Sequence, residues 1–173
     1  AGMAKKCLVI GADTLSRVLD HTDRDSMIYA DGAGATIIEK SNEQGGILSH
    51  KTVTYTSEGE VDFIFYGTAN DKVGNSKYIK MQGRKVYEFA LSKVPLALKS
   101  CLESSGRPLS ELKKIFLHQA NLKMDEAIIK RFYGLYNKEM PEKILPMNIQ
   151  EFGNSSVATV PTLFDLVINR NYC

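Results

Sequence analysis

The spacing of apolar and polar positions changes repeatedly along the chain, and each change marks a predicted element. Residues 7–12, C-L-V-I-G-A, form a continuous apolar run after Lys5-Lys6, as expected of a strand buried on both faces of a sheet. Residues 14–25 read as a charged connection. Residues 26–29 and 36–39 read as strands, separated by D-G-A-G-A at 31–35, where glycines alternating with alanines mark a place that something packs against closely. After a polar turn at 41–46, residues 47–56 alternate well enough for a further strand, and 57–80 dissolve into a long Gly-, Asn-, Asp- and Ser-rich excursion of the kind that is usually functional or mobile. Helical periodicity then takes over at 83–104, where Val86, Ala90, Val94, Ala97 and Cys101 fall on one stripe and Pro95 predicts a kink. S-G-R-P at 105–108 stops that helix, and 110–114 form a short helical connection into a strand at 115–117. A helix follows over 122–135, with Met124, Ile128, Ile129, Phe132 and Leu135 inward, and then a short strand at 144–147 and a loop at 148–154. A last helix is predicted over 155–168, with a second kink at Pro161.

Strands alternating with helices of this length give an α/β domain, predicted as a mixed sheet with helices on both faces. At 173 residues, residues 1–173 make a single domain with room for a sizeable core. Apolar residues make up 43%, charged residues 24%, and the net charge is only +2, so nothing in the balance calls for nucleic acid or a membrane as partner. The cytoplasm is the expected location. Three cysteines, Cys7, Cys101 and Cys173, have no metal-type spacing and read as free thiols, with no metal or cofactor implied. The opening A-G-M-A-K-K and the closing N-R-N-Y-C both read as cuts through a larger protein.

Candidate chemistry sits in two polar islands. H-Q-A-N at 118–121 lies where the 115–117 strand meets a helix, the end of a strand at which open α/β sheets place chemistry. His118 reads either as a functional group or as a satisfied core histidine, and Asn121 reads as a helix cap. E-F-G-N-S-S at 151–156 is the second island. Arg24 is solvated or an anion contact, with position favouring solvation. Lys123, Lys130 and Arg131 face outward as a solvated surface or a docking patch, Glu126 supporting Lys130 four residues on. D-G-A-G-A fits neither a phosphate loop nor a dinucleotide fingerprint.

Read in order, A-G-M-A-K-K-C-L-V-I-G-A-D, Y-A-D-G-A-G-A, M-Q-G-R-K-V-Y-E-F-A, F-L-H-Q-A-N-L-K-M and F-G-N-S-S-V-A-T-V-P cover nearly the whole chain. In these stretches the chain resembles the C-terminal half of β-ketoacyl-acyl carrier protein synthase III, in the thiolase superfamily. H-Q-A-N paired with G-N-S-S is the specific signature. The resemblance implies a thiolase-like fold, here the C-terminal half of a layered αβαβα architecture.

It also implies a Cys-His-Asn site in which His118 and Asn154 are the histidine and asparagine. A cysteine takes the acyl group from acyl-coenzyme A, and malonyl-acyl carrier protein then loses carbon dioxide and attacks the acyl-enzyme. Decarboxylation leaves an enolate, which an imidazole N–H and a carboxamide N–H can stabilise, whereas an ionised aspartate at position 154 could not donate. The resemblance places a substrate path along Met81, Gly83, Arg84, Tyr87, Ala120 and Asn121 with Arg24 near the adenine end. It also implies carrier-protein docking on Lys123, Lys130 and Arg131, and a homodimer. The nucleophilic cysteine and a closing Gly-rich strand would lie outside this chain, so the chain alone is expected to be inactive. Leu117, Lys123 and Asp25 depart from the family's usual proline, arginine and glycine. Two other functions stay open: a specialised synthase of polyketide or secondary metabolism, and a non-catalytic partner subunit.

Overall fold

The computed structural model describes residues 4–43, 45–69 and 76–170. Cys173, the opening A-G-M and the closing N-Y-C lie outside them. Strand β1, Lys6–Asp13, pairs antiparallel with β2, Gly32–Glu39, from Lys6 opposite Glu39 to Asp13 opposite Gly32. Strand β3, Ile64–Thr68, pairs antiparallel with β4, Lys77–Met81. Four helices follow: α1, Gly83–Ser104; α2, Leu122–Gly134; α3, Ile149–Phe152; and α4, Thr159–Asn169.

The core lies between α1 and α2. Leu91 of α1 meets Met124, Ile128, Ile129 and Phe132 of α2, and Ile115, Ile144 and Leu145 close the cluster. Phe132 packs edge-on against Tyr133 and Tyr136. The other packing unit is α4 and the 3₁₀ turn Ser156–Ala158 laid on β1 and β2. Here the alanine–glycine alternation has its reason: a Cβ on Gly32 would lie 2.7 Å from the Ser155 Cβ, and one on Gly34 would lie 2.8 Å from the Pro161 ring. Small residues let the helix approach the strand backbone.

Several predicted strands take other forms. Residues 24–28 form a 3₁₀ turn, in which the Asp23 carboxylate accepts from the Asp25 amide and the Ser26 and Tyr29 amides donate to the Asp23 and Ser26 carbonyls, so local bonds take amides that a strand would have paired. Residues 47–56 carry no ladder and are held to α1 by side chains, with the Ser49 hydroxyl on the Cys101 carbonyl at 2.7 Å and Tyr55 edge-on to Phe89. Residues 115–117 and 144–147 are joined by the Ile115 N–H donating to the Ile144 carbonyl at 2.9 Å, but no ladder forms between them among the described residues. Conversely, β3 and β4 fall inside the excursion at 57–80, where glycine and asparagine hid the alternation.

β1 is not buried on both faces: its Leu8 and Ile10, and Ile37 opposite Leu8 on β2, are 59%, 62% and 70% exposed, since among the described residues α4 and its preceding turn cover one face of this ribbon. Helix α1 runs through Pro95 without a break. Pro161 falls in the first turn of α4, where the missing N–H has no intrahelical partner to lose, so no kink arises.

Candidate active site

Asn154 is fixed by its backbone before its side chain is considered. Its N–H donates to the Ile28 carbonyl at 2.8 Å and its carbonyl accepts from Ala30 N–H at 2.9 Å, a parallel bridge across Tyr29. Gly153 delivers it there at φ +62° and ψ −164°, a conformation essentially restricted to glycine, and a Cβ would meet the Ala30 Cβ at 3.1 Å. The Asn154 side chain is 6% exposed. Its Oδ1 accepts from the Ser156 N–H at 3.0 Å, which settles the orientation of the amide, because an N–H can only donate. The Nδ2 group is left without a protein partner among the described residues, as a donor available to a ligand.

His118 reaches the same turn from the other side. Its Nδ1 lies 3.2 Å from the Ser156 carbonyl. A carbonyl only accepts, so this contact requires the proton on Nδ1, and Nε2 of the neutral ring is then an acceptor. A donor toward the cavity from Nε2 needs the doubly protonated ring. Burial of the ring's inner side holds its pKa below the ordinary histidine value, and the Ser156 carbonyl opposes that shift. Ser156 thus ties both residues together, adopting φ +54° to do so.

Two cavities share a wall here. The inner one, about 450 Å³, is bounded by His118, Asn154, Ser156, Asp125, Asp13 and Tyr29 among apolar side chains. The outer one, about 420 Å³, is bounded by Arg24, Met81, Gly83, Tyr87, Ala120, Asn121 and Asn154. Tyr29, Met81, Val86, Ala120, Met124 and Asn154 belong to both, so Asn154 sits where an outer path meets an inner chamber.

Comparison with known proteins identifies the family. Residues 1–56 match the family described as 3-oxoacyl-[acyl-carrier-protein (ACP)] synthase III, and residues 102–172 match its C-terminal domain. The chain belongs to the synthase III family. It is 33% identical over 174 residues to the β-ketoacyl-[acyl-carrier-protein] synthase III of Prochlorococcus marinus strain NATL2A, covering 95% of this chain and 50% of that protein. With the same enzyme of Porphyra umbilicalis it shares 34% over 181 residues, covering 98% and 53%. The solved 3-oxoacyl-[acyl-carrier-protein] synthase III of Aquifex aeolicus VF5 superposes with a TM-score of 0.81 at 29% identity, over 99% of this chain and 51% of that one. The corresponding structure from Pseudomonas aeruginosa PAO1 gives 0.82 at 25%, over 99% and 51%. The chain therefore has a thiolase-like α/β fold and spans about half the length of the relatives it matches.

Within this synthase III framework the structure brings together all but one of the residues expected along the path. Arg24, Met81, Gly83, Tyr87, Ala120 and Asn121 line the outer cavity, whereas Arg84 is 91% exposed and pairs with Glu88 at 2.8 Å. Asn121 caps α2, its Oδ1 accepting from Met124 N–H at 3.2 Å, as its position before a helix predicted. Lys123 and Lys130 are exposed on α2, with Lys130 3.6 Å from Glu126. Arg131 has a structural task besides: its guanidinium donates to the Leu91 carbonyl of α1 at 3.1 Å. Among the described residues no cluster of His, Cys, Asp or Glu could hold a metal ion, and no helix is long and apolar enough to cross a membrane.

Three residues were missed in the sequence. Gln119 is fully buried and its Oε1 accepts from Asn148 N–H at 3.0 Å, tying the histidine segment to the one that leads to Asn154. Ser156 is the shared tie described above. Asp125 sits on the inward stripe of α2 with Ile128, Ile129 and Phe132, and helical spacing alone places it there.

Proposed function

We propose that this chain is the C-terminal half of a β-ketoacyl-acyl carrier protein synthase III whose complete form joins an acyl-coenzyme A primer to malonyl-acyl carrier protein, the initiating condensation of fatty acid biosynthesis. In the first half-reaction a cysteine thiolate from the other half attacks the primer thioester, the carbonyl–sulfur bond to coenzyme A breaks, and coenzyme A leaves as a thiolate that takes its proton from water. In the second, the malonyl C–CO₂ bond breaks and its electron pair becomes the enolate of the carrier thioester. The enolate carbon then bonds to the acyl carbonyl carbon, and the cysteine thiolate departs.

The observation that carries this reading is the convergence of Asn154 Nδ2 and the His118 ring on one chamber, both held by Ser156. Donors fixed in advance stabilise charge that exists only during reaction, at no further cost of reorganisation. Asn154 donates in its only form, and His118 donates from Nε2 as the imidazolium. The outer cavity suits the pantetheine arm, with Arg24 toward the nucleotide and Arg84 at the rim. Lys123, Lys130 and Arg131 form the carrier-protein face, where complementary charge chiefly speeds encounter. The exposed apolar face of β1 and β2 is consistent with burial against the remainder of a longer chain. The parent acts as a cytoplasmic homodimer without a cofactor, and this chain alone is inactive.

The test is the intact mass of the full-length synthase after incubation with a panel of acyl-coenzyme A thioesters. A single acyl adduct on a cysteine outside this chain is expected, and the best adduct names the primer. A folded protein that accepts none is a non-catalytic subunit, and the proposal fails.

A further inference from the structure

Among the chamber's polar groups that the condensation does not use, Asp13, Tyr29 and Asp125, only Asp125 stands on a buried helical stripe. Asp125 lies on the buried stripe of α2, 1% exposed, at a position whose companions Ile128, Ile129 and Phe132 are all apolar. Its carboxyl already has a structural partner in the backbone amide of Asn121, the cap of the same helix. That uses one oxygen. The other, Oδ2, is sealed from solvent and has no hydrogen-bond partner, although the residue lines the chamber shared by His118 and Asn154. The chamber's other polar side chains, Asp13 and Tyr29 among them, make no hydrogen bond to it, and Ile64, Ile79, Leu117 and Ile128 have none to offer. A buried polar atom left unpaired costs on the order of 1–3 kcal/mol.

We propose that Asp125 is a specificity-determining residue that takes a hydroxyl group carried on the acyl chain bound in this chamber. The inference rests on the thioester reading above and refines it, naming a hydroxylated acyl group as the substrate class. The apolar side chains of the chamber fit a short hydrocarbon chain, and the Asp125 carboxyl supplies a polar point beside them. Burial raises its pKa to about 7, so both protonation states are populated near neutrality. The protonated form donates and the ionised form accepts; a hydroxyl group, being donor and acceptor at once, satisfies either. Met81 and Met124, flexible side chains in the same wall, can give way to admit the contact.

The test is calorimetric binding of unreactive amide analogues of butyryl-, 3-hydroxybutyryl- and 4-hydroxybutyryl-coenzyme A to the full-length synthase and to its Asp125→Leu and Asp125→Asn variants. The native protein should bind one hydroxylated analogue about tenfold more tightly than the plain one, because a site that pairs with a hydroxyl disfavours the analogue lacking it. Asp125→Leu should abolish or reverse that ratio, and Asp125→Asn, which keeps a donor and an acceptor, should retain part of it. Equal affinities in the native protein overturn the proposal. So does a ratio unchanged in Asp125→Leu with a lowered melting temperature, which is what a helix-capping role alone gives. The amide analogues cannot acylate a cysteine. A preserved ratio without any adduct from the thioesters would therefore reject the condensation reading while supporting this one.

Discussion

Arg131 offers a quantitative test of how α1 and α2 are joined. Pro95 has no N–H, so the Leu91 carbonyl four residues earlier lacks its usual helical donor. The Arg131 guanidinium fills that gap from α2 at 3.1 Å. A hydrogen bond from a charged donor contributes roughly 1.5–3 kcal/mol, and partial exposure here brings the expectation to about 1–2 kcal/mol. Arg131→Met should cost that much and lower the melting temperature by about 2–4 °C per kcal/mol for a domain of this size. The informative background is Pro95→Ala, which restores a main-chain donor to Leu91. There Arg131→Met should cost little, leaving a coupling of about 1 kcal/mol in the double-mutant cycle. Any benefit of a cation in the last turn of α2 is the same in both backgrounds and cancels. Urea unfolding of the four proteins supplies the cycle. Equal losses in the two backgrounds would refute the account, and Arg131 would then be only a surface cation.

Further outcomes can be checked on the same protein. Gly153→Ala forces a side chain into a left-handed conformation against Ala30 and should cost about 1–3 kcal/mol; it should also slow condensation by displacing Asn154, read as product formation against the rate of cysteine acylation. Asp125 keeps its proton in the folded state up to about pH 7, while the unfolded chain releases it near 3.8. Its contribution to stability therefore falls as pH rises between those values, and Asp125→Asn should flatten that part of the pH–stability curve. Lys130→Glu should slow the use of malonyl-acyl carrier protein severalfold, with little effect on transfer from acyl-coenzyme A; an equal loss in both half-reactions would assign Lys130 a structural role.

The helices and the site were more legible in the sequence than the sheet. Helix α1 has its predicted bounds and α2 differs by one residue, because a 3.6-residue stripe over three or more turns outweighs local noise. Short apolar runs lack that redundancy. Residues 26–29, 47–56, 115–117 and 144–147 have strand-like composition, yet the first closes on itself through the Tyr29 N–H to the Ser26 carbonyl, the second is held to α1 by side chains, and the last two share the Ile115–Ile144 bond without a ladder. His118 and Asn154 were recognisable from paired motifs, whereas the tie through Ser156 depends on positive backbone angles that no residue type announces. That tie also revises the expected chemistry, since the Nδ1 contact makes a cavity-facing donor depend on the imidazolium.

The central claim is that Asn154 and His118 stabilise the enolate formed from malonyl-acyl carrier protein. The most direct measurement is carbon dioxide release from the full-length synthase and from its His118→Ala and Asn154→Ala variants, with cysteine acylation followed in parallel by intact mass. The account predicts that decarboxylation falls by about 10²–10³-fold in each variant, the cost typical of losing an oxyanion donor, while the acyl adduct forms as before. Unchanged decarboxylation in both variants would contradict it.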